Sequence, residues 1–204
     1  MIGIINYGIG NIGSIYNIIK RAGGIPIVIE NGNELKKLKI NKLILPGVGS
    51  FGVAMSMLKK GNWIKELEKY ISKPENFLLG ICLGMQLLFE KSDEGGSDGL
   101  GLMKGYVRMF NFPNKMYKIP HMGWNIVKPI RESSLFTLNE KDLRFYHVHS
   151  YHVVCDDNSI ITAITNYGYD FTSAIQYENI LGVQFHPEKS HRFGIALMRK
   201  FIEL

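Results

Sequence analysis

An apolar run that stops at a cysteine constrains the fold of this chain more than any other stretch. Residues 77–81 read Phe-Leu-Leu-Gly-Ile, and beyond Cys82 the apolar residues follow the spacing of a short helix. Gly80 and Gly84 flank Cys82 in the Gly-x-nucleophile-x-Gly spacing of a sharp strand-to-helix turn. Such a turn tolerates only small neighbours and aims the sulfur at a helix N-terminus, which favours the thiolate. We therefore predict a nucleophile at Cys82, although a lone cysteine is more often a buried structural residue.

Strands and helices alternate around this turn. Apolar strands are predicted at 2–6, 26–30 and 42–45, and helices at 12–22, 51–59 and 63–72. This βαβ pattern predicts an α/β fold with a doubly wound, mostly parallel sheet and helices on both faces.

The second half of the chain has a different pattern. A polar, glycine-rich loop is predicted at 91–101, and a last helix at 191–204. Short strands are predicted between them, at 105–110, 124–129, 145–148, 153–155, 160–165, 173–177 and 180–184. These would be antiparallel strands appended to the parallel core. Because the chain has no linker and no internal repeat, we predict one domain over residues 1–204.

Two glycine-rich turns follow predicted strands. Pro46-Gly47-Val48-Gly49 comes after the third strand, where backbone N–H groups can reach a ligand, so it predicts the second half of an oxyanion hole beside Cys82. Alone, this turn could equally be a simple connection. The turn at Gly8, Gly10 and Gly13 has the spacing of a dinucleotide fingerprint, but only Glu30 could serve as its acidic partner, so this is a weak alternative.

A base for the nucleophile is predicted near the end of the chain. His186 ends an apolar strand, and Glu188 follows two residues later, where its carboxylate could hold the imidazole in one tautomer. A strand-end histidine with a helix-capping glutamate is the plainer alternative.

Three further histidines raise the question of a metal site. His147 and His149 would share one face of a strand, and His152 would lie on the other face. No acidic or cysteine residue has the spacing to complete a metal site, so hydrogen bonding by these histidines is favoured over metal binding.

Composition narrows the class of protein. The formal net charge is +6, but lysines are dispersed and no basic run alternates with aromatic residues, so nucleic-acid binding is not expected. No apolar run reaches the roughly 20 residues of a membrane span, and no signal peptide is recognised at the N-terminus. The two cysteines do not suggest a disulfide framework, which favours a reducing cytoplasm. No cofactor is predicted.

Three motifs along the chain together resemble one known family. Pro46–Gly49, Gly80–Gln86 and Phe185–Ser190 are similar to the signatures of the class I (triad) glutamine amidotransferases. Pro-Gly-Val-Gly and residues 120–125, Pro-His-Met-Gly-Trp-Asn, resemble the branch that passes ammonia to a partner (β/α)₈ barrel synthase subunit as a heterodimer. The resemblance covers the whole chain. It implies glutamine hydrolysis that serves histidine biosynthesis, with a by-product that feeds purine synthesis.

The resemblance also implies residue roles. The nucleophile would be Cys82, the base His186 and the orienting acid Glu188. The oxyanion would be bound by backbone N–H groups of Gly47, Val48, Gly49 and Leu83. Glutamine would be held by Gly49, Gln86, Glu94, His149, Ser150 and Tyr151. The partner would be contacted by Asn11, Met122, Trp124 and Lys189.

Two departures from the family pattern leave the acceptor of the ammonia open. They lie at residues 11–14, Asn-Ile-Gly-Ser, and 191–194, His-Arg-Phe-Gly, near the expected partner face. One alternative is a paralogous glutaminase whose partner amidates a nucleotide-linked sugar for surface polysaccharide. Two others are a γ-glutamyl hydrolase without a partner and a non-catalytic scaffold on the same fold.

The valine in Pro-Gly-Val-Gly carries one further expectation. A β-branched residue at position 48 restricts the backbone, so the loop N–H would point away from the thiolate at rest. The chain would then be a poor glutaminase without its partner.

Overall fold

Helices and strands alternate in the first part of the chain, and strands dominate the second. The computed structural model describes residues 1–113 and 116–204. The strands are β1 Ile2–Ile5, β2 Pro26–Ile29, β3 Lys42–Leu45, β4 Phe77–Ile81, β5 Phe89–Ser92, β6 Ser97–Asp98, β7 Met103–Met109, β8 His121–Ile126, β9 Lys128–Pro129, β10 Arg144–His149, β11 Tyr151–Cys155, β12 Ile161–Tyr167, β13 Tyr169–Tyr177 and β14 Ile180–Val183. The α-helices are α1 Ile12–Arg21, α2 Gly32–Leu35, α3 Phe51–Lys60, α4 Trp63–Ile71, α5 Leu83–Gln86 and α6 His191–Glu203. Short 3₁₀ turns occupy Asn158–Ile160 and Pro187–Lys189. Within the described ranges, no helix has both the length and the apolar character needed to cross a membrane.

A mixed eight-stranded sheet forms the centre of the fold, in the order β2-β1-β3-β4-β14-β13-β12-β9. The first five strands are parallel to one another, and β13, β12 and β9 continue the sheet antiparallel. The predicted doubly wound sheet with appended antiparallel strands is therefore confirmed. Among the described residues there are also two smaller sheets, one of β10 and β8 and one in the order β11-β7-β5-β6.

Two apolar layers cover the faces of the large sheet. On one face, α1 and α6 pack through Ile15 and Phe201, and on the other, α3 and α4 pack through Phe51 and Trp63. All four of these side chains are fully buried or nearly so. Side chains alternate across a strand, so a sheet covered on both faces needs nearly continuous apolar strands, as the sequence of this chain has.

The structure differs from the sequence predictions after Cys82. The helix is a single turn, Leu83–Gln86, and the chain then enters β5. The predicted loop 91–101 was wrong in part, because residues 91–92 pair with both β6 and β7. The predicted strand 124–129 is divided, since β8 pairs with β10 whereas β9 pairs with β12. Helix α2 was not predicted; its N-cap, Asn31, accepts hydrogen bonds from the backbone N–H groups of residues 33 and 34.

Candidate active site

Cys82 lies on a strained turn directly after β4. Its backbone has φ 54° and ψ −111°, a conformation that non-glycine residues rarely adopt, and the residue is 5% exposed. A side chain at Gly80 would place its Cβ 2.7 Å from the carbonyl oxygen of Gly84. A Cβ at Gly84 would collide with the carbonyl oxygen of Leu45. The two glycines predicted to permit the turn are therefore required by backbone contacts.

His186 reaches the same edge of the sheet through the pairing of β4 with β14. Ile81 lies opposite Val183 in this parallel pair, so the residues that follow the two strands are neighbours. The His186 imidazole contacts Glu188, with 2.7 Å between Nδ1 and Oε1, and both side chains are 2% exposed. A carboxylate can only accept, so Nδ1 carries the proton and Nε2 is the nitrogen free to act on Cys82.

The electrostatics of the site favour a charged imidazole. Burial of His186 lowers its pKa, but attraction and hydrogen bonding from Cys82 and from Glu188 outweigh burial and raise the pKa to about 10. Within residues 1–113 and 116–204, the buried Nε2 has no hydrogen-bond partner that meets ordinary geometry. Such contacts are often loose before substrate binds. The imidazole therefore holds a proton that it can give to a reacting group.

The backbone around His186 is tied to strand β10. The N–H of His186 donates to the carbonyl of Tyr146 over 2.9 Å, an isolated antiparallel bridge. The Ser190 hydroxyl donates to the carbonyl of His186 over 2.6 Å and accepts from the N–H of Tyr146 over 3.0 Å. The position of the imidazole is thus coupled to β10, whose partner β8 carries residues predicted to face another subunit.

The predicted oxyanion loop packs directly on the Cys82 turn. A Cβ at Gly47 would lie 2.8 Å from the backbone nitrogen of Gly84, and Gly49 has φ +98°. The buried hydroxyl of Tyr7 donates to the carbonyl of Pro46 over 2.8 Å. Burial, and secondarily the charge of Cys82, raise the pKa of Tyr7, which keeps the phenol protonated as a donor. Tyr7 was not predicted as a site residue, because no local sequence pattern marks its contact with a loop 39 residues away.

A cavity of about 560 Å³ opens beside Cys82. Its lining includes every residue predicted to hold the substrate, namely Gly49, Gln86, Glu94, His149, Ser150 and Tyr151. Glu94 Oε2 accepts a hydrogen bond from the backbone N–H of Phe51 over 2.9 Å, so the other carboxylate oxygen can meet a ligand. A larger depression near Glu66, about 660 Å³, lies at the amino ends of β3 and β4, away from this chemistry.

Two glutamine side chains connect the cavity to the sulfur. Gln86 Nε2 donates to the carbonyl of Tyr151 over 2.9 Å and to Gln184 Oε1 over 3.1 Å. Gln184 Nε2 in turn donates to Cys82 Sγ over 3.7 Å. Gln184 was predicted only as a strand residue, because its contact with Cys82 depends on the pairing of β4 with β14.

The residues predicted to face a partner surround the same end of the sheet. Asn11 and Lys189 contribute to the cavity wall together with Cys82. Met122 and Trp124 are 61% and 48% exposed on strand β8. The indole of Trp124 stacks on His191, with 5.5 Å between ring centroids and 7° between planes. An exposed apolar surface therefore adjoins the mouth of the cavity.

His147 and His149, which were predicted to share a strand face, form a buried cluster with a third histidine from another strand. His121, not His152, joins His147 and His149, with 3.3 Å from His121 Nδ1 and 3.2 Å from His147 Nδ1 to His149 Nε2. Burial lowers the pKa of His121 to about 4, and burial together with neighbouring histidines holds the pKa values of His147 and His149 well below their ordinary value. Local strand alternation could not reveal His121, which comes from a different strand.

The hydrogen-bond pattern of this cluster suits neutral histidines better than a metal ion. His149 Nδ1 donates to the carbonyl of Tyr151 over 2.8 Å, so its Nε2 accepts. Asn125 Nδ2 lies 3.2 Å from His121 Nε2, which makes that nitrogen an acceptor and places the proton on Nδ1. His147 Nδ1, facing the same acceptor, is also a donor. An ion between the rings would have to displace two protons and reverse the Asn125 amide.

The glycine turn after β1 has contacts that do not favour a dinucleotide. A Cβ at Gly10 would lie 3.1 Å from the Pro46 side chain, so the turn packs against the oxyanion loop. Glu30 Oε2 accepts a hydrogen bond from Asn6 Nδ2 over 2.8 Å.

Sequence comparisons place the chain among enzymes of one kind. The profile of the glutamine amidotransferase class-I family matches residues 4–204. A Methanococcus maripaludis protein named imidazole glycerol phosphate synthase subunit HisH 2 is 49% identical, covering 100% of this chain and 99% of the relative. Subunits HisH from Bdellovibrio bacteriovorus and Leptospira borgpetersenii are 45% and 43% identical, each over 100% of both chains.

Solved structures share the fold at lower sequence identity. The structure of PurLQS from Thermotoga maritima has a TM-score of 0.75 at 18% identity, covering 98% of this chain and 96% of the other. A crystal structure of a glutamine amidotransferase has a TM-score of 0.71, also at 18% identity, covering 100% of this chain and 98% of the other.

Proposed function

The chain belongs to the class I glutamine amidotransferases, and we propose that it hydrolyses glutamine to glutamate and ammonia at Cys82. The observation that carries this proposal is the meeting of Cys82 with the Glu188-bound imidazole of His186 beside an open cavity. A buried thiolate, an oriented base and room for a substrate are the requirements of nucleophilic acyl transfer.

The first chemical step is attack of the Cys82 thiolate on the γ-amide carbon of glutamine. The carbonyl oxygen becomes an oxyanion, which needs preorganised donors. Leu83 begins α5, so its N–H has no partner within the helix and is available. The loop 47–49, packed on the same turn, would supply the second N–H.

The second step expels ammonia. His186 gives its Nε2 proton to the leaving nitrogen, the C–N bond breaks, and a γ-glutamyl thioester remains on Cys82. Water then attacks the thioester while His186 takes a proton from it, and glutamate leaves with the thiolate restored. Glu188 holds the imidazole throughout through Nδ1.

Substrate recognition uses the groups left free in the cavity wall. Glu94 presents one carboxylate oxygen, which suits the α-ammonium group of glutamine. Gln86 Nε2 donates its two hydrogens to Tyr151 and Gln184, so the side-chain oxygen Oε1 is the atom that can accept a hydrogen bond from the substrate. Residues 149–151 form a further part of the wall.

The ammonia passes to a (β/α)₈ barrel synthase subunit in a heterodimer that makes imidazole glycerol phosphate and AICAR in histidine biosynthesis. The names of relatives at 40–49% identity support this acceptor. The exposed Met122 and Trp124, with Asn11 and Lys189 at the cavity mouth, support docking at this end of the sheet. No resident cofactor is required by the chemistry.

The relatives do not favour the alternative that the partner amidates a nucleotide-linked sugar. The presence of a nucleophile, a base and an orienting acid likewise supports an enzyme over a non-catalytic scaffold.

We also propose that residues 1–204 act as a single domain, because the central sheet joins β1, from the start of the chain, to β14, near its end. A cytoplasmic location is supported by two free thiols, Cys82 and Cys155.

The test compares two nitrogen sources for the synthase complex. Cys82→Ser should abolish synthesis from glutamine while leaving synthesis from ammonium salts unchanged. Cys155→Ser, the same change at the other cysteine, should leave both rates near wild type. Equal loss of both activities in Cys82→Ser would refute the assignment, and a sugar product in place of imidazole glycerol phosphate would identify the alternative acceptor.

A further inference from the structure

A buried amide lies against the nucleophile, and its position follows from the sheet. The N–H of Cys82 donates to the carbonyl of Val183 over 2.8 Å, continuing the pairing of β4 with β14. Gln184, one residue further, is therefore brought beside Cys82. Its side chain is completely buried, with Nε2 3.7 Å from Cys82 Sγ. The amide thus touches the reacting atom from a side that the substrate cavity does not use.

The hydrogen-bond network determines which end of this amide faces the sulfur. The carbonyl oxygen of Tyr151 can only accept, so the Gln86 atom 2.9 Å from it must be the nitrogen. The same nitrogen lies 3.1 Å from the Gln184 side chain, which must present its oxygen there. The nitrogen of Gln184 is therefore left facing Cys82. If the Gln184 amide were reversed, its nitrogen would face the nitrogen of Gln86, and two hydrogen-bond donors would oppose each other.

The sulfur has few other sources of stabilisation. The helix that begins after Cys82 has only one turn, so it supplies little of the macrodipole expected for a longer helix. The positive group that the electrostatics place against the sulfur is His186, whose proton must leave during catalysis. A donor that never gives up its proton can keep the sulfur anionic while His186 transfers its own.

From these contacts, and resting on the proposed function, we propose that Gln184 is a further catalytic residue that donates an amide N–H to the Cys82 thiolate. Gln86 is the positioning residue that sets its direction. A hydrogen bond to a charged acceptor typically corresponds to a factor of roughly 10–100 in the equilibrium between the two protonation states. The long N–H···S contact places the expected factor near the lower limit, about 10.

The experiment measures the reactivity of the sulfur without glutamine. In a Cys155→Ser chain, Cys82 is the one remaining thiol, since the sequence has two cysteines. The rate of iodoacetamide alkylation is followed from pH 5 to pH 10. Gln184→Met removes the donor at similar volume and should move the half-maximal pH up by about one unit. Below the wild-type half-maximal pH, alkylation should then fall about tenfold, with an unchanged plateau at high pH.

Matched variants separate this effect from a structural one. Gln176→Met makes the same change at another strand glutamine that hydrogen-bonds Ser134, and it should not move the profile. Gln86→Met should shift the profile in the same direction by less. Gln184→Glu keeps the shape but places a carboxylate by the sulfur, so it should shift the profile more than Gln184→Met.

The proposal is overturned if Gln184→Met leaves the half-maximal pH unchanged or moves it no more than Gln176→Met. Circular dichroism shows whether Gln184→Met folds. If it does not fold, the half-maximal pH values of Gln86→Met and Gln184→Glu are compared with that of Gln176→Met instead, and the absence of an upward shift overturns the proposal. A normal alkylation profile in a chain that cannot hydrolyse glutamine with its partner would instead refute the proposed function.

Discussion

The clearest quantitative consequence of the Cys82 turn is the effect of one methyl group at Gly80. In Gly80→Ala the new Cβ would lie 2.7 Å from the carbonyl oxygen of Gly84 and 2.8 Å from both its carbonyl carbon and the Cα of Met85. To reach the 3.4 Å at which ordinary contact begins, these atoms must retreat by about 0.6–0.7 Å. All three are backbone atoms, so no side-chain rotation can relieve the contact.

The displacement acts on the atoms that perform the chemistry. The Gly84 and Met85 backbone belongs to α5, which begins directly after Cys82 and presents the N–H of Leu83. Misplacement of reacting groups by about 1 Å can cost about 100-fold in rate. We therefore expect Gly80→Ala to lower kcat for glutamine by roughly 30- to 100-fold. Overpacking should also reduce the free energy of unfolding by about 1–3 kcal/mol.

The assay is steady-state glutamine hydrolysis with saturating partner, together with urea unfolding of the isolated chain. Gly13→Ala is the control, because nothing lies within 4 Å of a Cβ at Gly13 in helix α1. That change should raise stability by about 0.5–1 kcal/mol, in contrast to the loss expected for Gly80→Ala. Activity of Gly80→Ala within about threefold of wild type would refute the steric reasoning, given the roughly 30- to 100-fold effect expected.

Two further predictions concern the oxyanion loop. Tyr7→Phe removes the donor to the buried carbonyl of Pro46, so urea unfolding should show a loss of about 1–3 kcal/mol, and kinetics a lower kcat at similar KM. Unchanged stability and kcat would show that this bond does not hold the loop. Val48→Gly relaxes a β-branched position, so the isolated chain should hydrolyse glutamine faster than wild type, by up to the ~10²–10³ that one oxyanion donor is worth. Equal rates in the two isolated chains would contradict control of activity by this loop.

The central architecture was predictable because it depends on local patterns. Apolar runs of four or five residues bounded by turns gave β1, β3 and β4, and the parallel topology places their carboxyl ends together. The meeting of Cys82 and His186 follows from that topology once each is known to end a strand. The comparisons then confirmed the family and the fold that the motifs indicated.

The remaining features depend on partners distant in sequence. Leu87, Leu88 and Phe89 have helical spacing, yet the chain leaves α5 because Phe89 and the polar residues after it pair with β7. Gln184 and Tyr7 contact the active site through strand register and tertiary packing, which no local motif records. Sequence patterns therefore found the ends of the strands but not the side chains that meet across them.

The most direct test of the central claim is to capture the acyl group on Cys82. The complex with its synthase partner is quenched with acid at successive times during glutamine turnover, and its peptides are analysed by mass spectrometry. The account predicts a γ-glutamyl thioester on the Cys82 peptide and none on the peptide of Cys155, whose pKa is raised to about 12, chiefly by burial. Continued ammonia release with Cys82 unmodified at every time, together with glutamine cleavage by Cys82→Ala, would contradict it.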